Sequence, residues 1–184
     1  MRRLNNHPFV RAEQKFLPYV EGRPMMQRQP GQRPKPVAIG ADGIAISSDG
    51  SRLYWCPLAS RRLYSVSTAA LRDATASDEV IALTVIDHGE KGMCDGLETD
   101  AQNRVYLTLV EQNAVARRYP SGLVETLVHS PALLWPDTLS VAGDGYVYGI
   151  ANQLHRQANV NNGEDLRRKA RSGRAGSFRQ RKFD

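Results

Sequence analysis

No apolar run in this chain approaches the roughly 18 to 20 residues that a helix needs to cross a bilayer, so no membrane span is expected. The opening residues, Met1-Arg2-Arg3-Leu4-Asn5-Asn6-His7-Pro8, hold no apolar stretch of the kind a secretory signal requires, and no export address is read from them. Cysteine is scarce: Cys56 and Cys94 are too few for a disulfide framework and lack the closely spaced thiols or imidazoles of a zinc site. Two buried free thiols are expected, with a single Cys56–Cys94 bridge as the alternative. Also absent are a Gly-x-Ser-x-Gly elbow, a His-Glu-x-x-His helix, a phosphate-cradling glycine loop and a dinucleotide fingerprint. Their absence argues against triad hydrolases, zincins, NTPases and Rossmann enzymes.

Charge is unevenly spread. Residues 1–36 carry eight Lys/Arg against two acids, residues 37–165 nine against sixteen, and residues 166–184 eight against one. The pI of about 9.6 therefore comes from the ends, and the acidic middle is no platform for nucleic acid. Residues 1–36 read as a Pro-rich basic lead-in, extended and without periodicity. Residues 166–184 have too little apolar content to pack and read as a basic mobile tail, without the interleaved aromatics that stack on bases.

Between these ends one pattern occurs three times, as Asp42-Gly43-Ile44-Ala45-Ile46-Ser47-Ser48-Asp49-Gly50, as Asp95-Gly96-Leu97-Glu98-Thr99-Asp100-Ala101-Gln102-Asn103, and as Asp137-Thr138-Leu139-Ser140-Val141-Ala142-Gly143-Asp144-Gly145. In each, an Asp opens a short apolar strand and a polar turn pair follows. An aromatic, β-rich run comes next: Leu53-Tyr54-Trp55, Val105-Tyr106-Leu107 and Tyr146-Val147-Tyr148. Turn pairs of this composition accept positive φ at little cost, so each copy predicts a hairpin, and a hairpin recurring every 40 to 50 or so residues predicts a β-propeller blade. The spacing is 53 residues from Asp42 to Asp95 and 42 from Asp95 to Asp137. An insertion over Ser67 to Val80 explains the longer interval, its Thr68–Asp73 core reading as one helical turn. Outer strands are predicted at 62–66 and 80–86 in the first unit and at 114–119 and 123–128 in the second, whereas the third unit stops early. The expected fold is thus all-β, a partial propeller of about three blades over 37–165. Closed rings take roughly four to eight blades. The chain is then a partial reading frame, one half of a homodimer completing the propeller, or an open stack with exposed edges.

The run Ala41-Asp42-Gly43-Ile44-Ala45-Ile46-Ser47 followed by Leu53-Tyr54-Trp55-Cys56-Pro57-Leu58-Ala59-Ser60-Arg61-Arg62-Leu63-Tyr64-Ser65-Val66-Ser67-Thr68 resembles the major royal jelly protein/Yellow family. Gly96-Leu97, Val105–Thr108 and Glu111–Val115 are similar to that family's next blade. Leu134–Ser140 with Asn152-Gln153-Leu154-His155-Arg156 is similar to the blade after it, particularly in microbial members. This resemblance covers roughly residues 38–168. It implies a six-bladed propeller, usually secreted and hence extracellular, whose insect members are tied to pigmentation, nutrition or the binding of biogenic amines in the central channel. The leading blades are missing, and an Arg-rich end stands where a further strand normally follows. A second, weaker resemblance is of Gly92-Met93-Cys94-Asp95-Gly96-Leu97-Glu98-Thr99-Asp100 to the regucalcin/gluconolactonase propellers. There the Asp matching Asp95 reaches the channel and binds a divalent cation, which would place Asp42 and Asp137 correspondingly on the neighbouring blades.

Two functions follow from these readings. The first is a propeller binding a small aromatic or amine-type ligand in its channel, with Asp95, Asn113, Trp135, Asp137 and His155 as ligand-binding candidates and no assigned catalysis. Trp135 would serve as an aromatic wall and His155 would orient the ligand. The second is a divalent-metal lactonase with calcium or zinc held by Asp42, Asp95 and Asp137, since converging carboxylates repel unless a cation lies between them or one is protonated. The bland alternative for each Asp is an Asx-turn residue beside a glycine.

Overall fold

The computed structural model describes residues 4, 5 and 7–168, and the backbone of 177–181. Its lead-in is more structured than its proline content suggests. A 3-10 turn over Pro8–Val10 precedes four two-residue strands, β1 (Tyr19–Val20), β2 (Arg23–Pro24), β3 (Met26–Gln27) and β4 (Lys35–Pro36), which pair as β1–β2 and β3–β4. Val20 and Met25 are buried against Val37, Leu58, Met93, Val110, Trp135 and Val160, so this segment is packed under the blades through its few apolar residues.

The first repeat forms a four-stranded antiparallel sheet of β5 (Ala41–Ile46), β6 (Arg52–Pro57), β7 (Arg62–Ser67) and β8 (Ile86–Glu90), in that order. Its first turn is built as its residues predict: Gly50 takes φ 70°, and Asp49 Oδ1 accepts from the Ser51 N–H at 2.9 Å. The insertion holds two short helices, α1 (Thr68–Arg72), as expected, and α2 (Asp78–Ala82). The second helix displaces the strand predicted over 80–86. Ser77 caps it by accepting from the Val80 N–H, Asp78 and Glu79 suit its positive N-terminal end, and Ile81 is fully buried beneath it.

The second repeat forms β9 (Cys94–Thr99), β10 (Val105–Leu109), β11 (Ala114–Arg118) and β12 (Val124–His129), again in sequence order, with Asn103 at φ 58° in its first turn. The third forms β13 (Pro136–Val141) and β14 (Tyr146–Ala151), with Gly145 at φ 83°; here a third strand comes from the basic tail. That strand, β15 (Ser177–Arg181), pairs antiparallel with β14 from Ile150↔Ser177 to Tyr146↔Arg181. The tail read as strandless thus covers an edge whose N–H and C=O groups would otherwise go unpaired. Its other residues, 169–176 and 182–184, lie outside the described residues.

The three sheets pack through their leading strands, β5 against β9 and β9 against β13. A Cβ at Gly43 would stand 2.1 Å from the Asp95 carbonyl oxygen, and one at Gly96 would stand 2.0 Å from that of Asp137. Glycine follows the aspartate because the next blade's backbone passes where a side chain would be. Asp42-Gly43 and Asp95-Gly96 are accordingly strand residues, not turn pairs. Cys56, Leu63, Cys94, Leu97, Val105 and Leu107 fill the space between the first two blades, and Tyr106, Val115, Leu139 and Val147 the space between the second and third. The architecture is an all-β propeller of about three blades.

Candidate functional site

Because the leading strands are neighbours and each opens on an aspartate, Asp42, Asp95 and Asp137 converge at one end of the stack. The Asp42 and Asp95 carboxyls lie close enough to act on each other, and the charge of Asp137 acts on both. Two carboxyls this close repel when both are ionised, and a proton held between them relieves the repulsion. Asp95 is 7% exposed. Burial is the largest influence on it and, with repulsion from Asp137 and Asp42, raises its pKa to about 7; the bond from Trp135 opposes the rise. Burial also raises Asp42. Asp137 accepts from Thr138 Oγ1 at 3.1 Å and from the Asn152 amide. Among the described residues, no Lys or Arg forms an ion pair with any of the three acids.

Trp135 donates its indole N–H to Asp95 Oδ2 at 2.6 Å. It sits at φ 61°, in a turn whose exit is fixed by the Asn152 N–H donating to the Trp135 carbonyl at 3.1 Å. At 1% exposure the indole is no open wall, and its part here is to hold Asp95 from behind. Its ring stacks on His155, with centroids 5.9 Å apart and planes at 11°. His155 belongs to the 3-10 turn Leu154–Arg156 and is 3% exposed. Its Nε2 lies 2.7 Å from Glu21 Oε2, and Arg156 donates to both oxygens of Glu21 at 2.9 and 2.6 Å. The Arg156 bonds, above all, pull Glu21 down to about 2 against its burial. Burial lowers the His155 pKa against the upward pull of Glu21.

Four of the five ligand candidates, Asp95, Trp135, Asp137 and His155, therefore belong to one connected network, together with the metal candidate Asp42. Asn113 belongs to the turn between β10 and β11, at φ 49°; its carbonyl accepts from the Ser130 N–H at 3.1 Å, and its buried Oδ1 finds no partner among the described residues. Among the described residues no group of three or more His, Cys, Asp and Glu side chains could hold a metal ion. The Asp95 and Asp137 oxygens that face protein donors are already engaged. These residues do not fit a divalent cation by themselves.

The sequence reading missed Asn152, Glu21 and Lys91. Asn152 lies opposite Trp135 in the antiparallel register and reaches Asp137 through its side-chain amide. Glu21 carries no local signal, being 134 residues from His155. Lys91 is 6% exposed and donates to the Gly92 carbonyl at 2.8 Å.

The protein's relatives can now be set beside this geometry. A gluconolactonase from Xanthomonas campestris superposes with a TM-score of 0.53 at 17% identity, over 85% of this chain and 46% of its own. The calcium-binding protein regucalcin from Agrobacterium tumefaciens gives 0.45 at 16%, over 79% and 48%. This chain thus spans about half the length of those structures, and the likeness to the gluconolactonase is one of fold. No curated protein matches it in sequence. No described helix is long and apolar enough to cross a membrane. The family model for major royal jelly proteins matches residues 3–170, over the same repeats that build the blades and carry the three aspartates, and the chain belongs to that family.

Proposed function

We propose that this chain is part of a ligand-binding propeller whose converging aspartates receive the protonated amine of a small aromatic ligand in the channel. The observation that carries this reading is the convergence of Asp42, Asp95 and Asp137 with no Lys or Arg ion pair among the described residues. An ammonium group brings both the charge that relieves their repulsion and the N–H donors that replace the shared proton. The Trp135–His155 stack lies behind Asp95 and holds its carboxylate through the indole N–H. Family membership supports an extracellular setting, and half a propeller per chain supports a homodimer that completes the channel.

Titration with catecholamines and indoleamines, followed by tryptophan fluorescence, tests the reading. The amines are expected to quench, and their uncharged isosteres are not. Affinity should rise as pH climbs through about 7, where Asp95 releases its proton, and Asp95→Asn should weaken binding at least roughly tenfold, a charge-assisted bond contributing about 1.5 to 3 kcal/mol. No change in signal from any amine at millimolar concentration would refute it.

The second reading, a divalent-cation lactonase, draws on the same convergence and needs ligands from outside the described residues. Calcium or zinc that raises the thermal midpoint of the protein, but not that of Asp95→Ala, would favour it over amine binding.

A further inference from the structure

Directly behind Asp95 lies a feature that amine binding does not use. Cys56 of β6 and Cys94 of β9 are both free and fully buried between the first and second blades. The Cys56 thiol donates across the blade boundary to the Cys94 carbonyl at 3.2 Å, and the Cys94 thiol donates to the Gly96 carbonyl at 3.1 Å. The Cys56 sulfur thus rests against the residue that carries the second thiol, inside one core cluster. Space for this meeting comes from Gly43, where a Cβ would stand 3.1 Å from the Cys56 sulfur.

We propose that Cys56 and Cys94 form a redox modification site, a thiol pair that a peroxide closes into a disulfide strapping β6 to β9 beside Asp95. The two sulfurs have different roles. Cys94 stands three residues from Lys91, whose buried ammonium donates to the Gly92 carbonyl in the same segment. Cys56 lies across the blade boundary with its S–H directed at the Cys94 carbonyl. Cys94, the thiol beside that cation, is the attacking sulfur and Cys56 the resolving one.

In the first step the Cys94 sulfur attacks one peroxide oxygen. An S–O bond forms, the O–O bond breaks, and the departing hydroxide takes up a proton as water. Cys94 is then a sulfenic acid, oxidised by the two electrons that reduce the peroxide. In the second step Cys56 gives up its proton and attacks the Cys94 sulfur, the S–S bond forms, and the S–O bond breaks to release a second water. One peroxide and two thiols thus yield one disulfide and two waters. The small oxidant suits a site where neither sulfur is exposed, and a bulky disulfide reagent does not.

Mass spectrometry decides the matter. The native chain is treated with hydrogen peroxide, denatured and alkylated with a maleimide. Untreated protein is expected to take two labels. Treated protein should take none, weigh less by two hydrogens, and recover both labels after dithiothreitol. Cys56→Ser should stop at the sulfenic acid, trapped by dimedone on Cys94. Two overturning results can be told apart from these: native protein that keeps both labels under peroxide conditions that oxidise the urea-unfolded chain, or a disulfide that joins two chains and none within one. Because the first comparison uses the unsubstituted chain, it holds even if the serine variant folds poorly.

Discussion

Asp95 is the residue on which most of the site's physics turns. Its carboxyl titrates near 7 in the fold, chiefly through burial, against 3.8 as the ordinary value. Between those two pH values the folded chain holds a proton that the unfolded chain has released. Stability must therefore fall as pH rises through that window, with the full deficit present above it. Asp95→Asn keeps an acceptor for the Trp135 indole and offers Asp42 a permanent donor. The variant is expected to gain on the parent steadily from about pH 4 to about pH 7, by a few kcal/mol, in urea unfolding at several pH values. Parallel pH profiles for the two proteins would contradict the assignment. At this scale the sequence was informative where one residue type recurs at a fixed place in each repeat, which is how Asp42, Asp95 and Asp137 stood out. It was silent on Glu21 and Lys91, since their roles come from long-range packing that no local pattern encodes.

At the level of strands and blades, the interlock rests on glycines whose missing side chains admit the neighbouring backbone. Gly96→Ala would drive its Cβ to 2.0 Å from the Asp137 carbonyl oxygen. Main chain on both sides cannot yield cheaply, so a loss of about 3 kcal/mol is expected. Gly143, in the turn of the third repeat, has no atom within 4 Å of a Cβ and serves as the control. Gly143→Ala should be neutral or stabilise by up to about 1 kcal/mol. Thermal and urea unfolding of the two variants side by side would test this, and equal behaviour would sink the interlock. The strands within each hairpin were legible because alternation and turn pairs are local signals. Two elements were not. The helix at Asp78–Ala82 depends on the Ser77 cap and on a pocket for Ile81, and β15 is recruited by the free edge of β14 and not by its own composition.

Over the whole chain, two faces stand open where further blades would stack. Ile44 and Ile46 are 60% and 47% exposed on β5, and Tyr148 and Ile150 are 38% and 49% exposed on β14. Apolar surfaces at both ends of a stack favour association. Light scattering on this chain alone is expected to give a mass above the 20.5 kDa of one copy, and lysine at positions 44 and 46 should bring it down. A monomer at all concentrations would count against the shared ring. Finally, the Glu21 clamp fixes an order of events during synthesis. The lead-in leaves the ribosome well before its anchors, since the imidazole and guanidinium that hold Glu21 are made 134 and 135 residues later. Until the turn at Leu154–Arg156 emerges, Val20 and Met25 have only part of their shelter, so this lead-in is locked in place only after the three repeats that follow it.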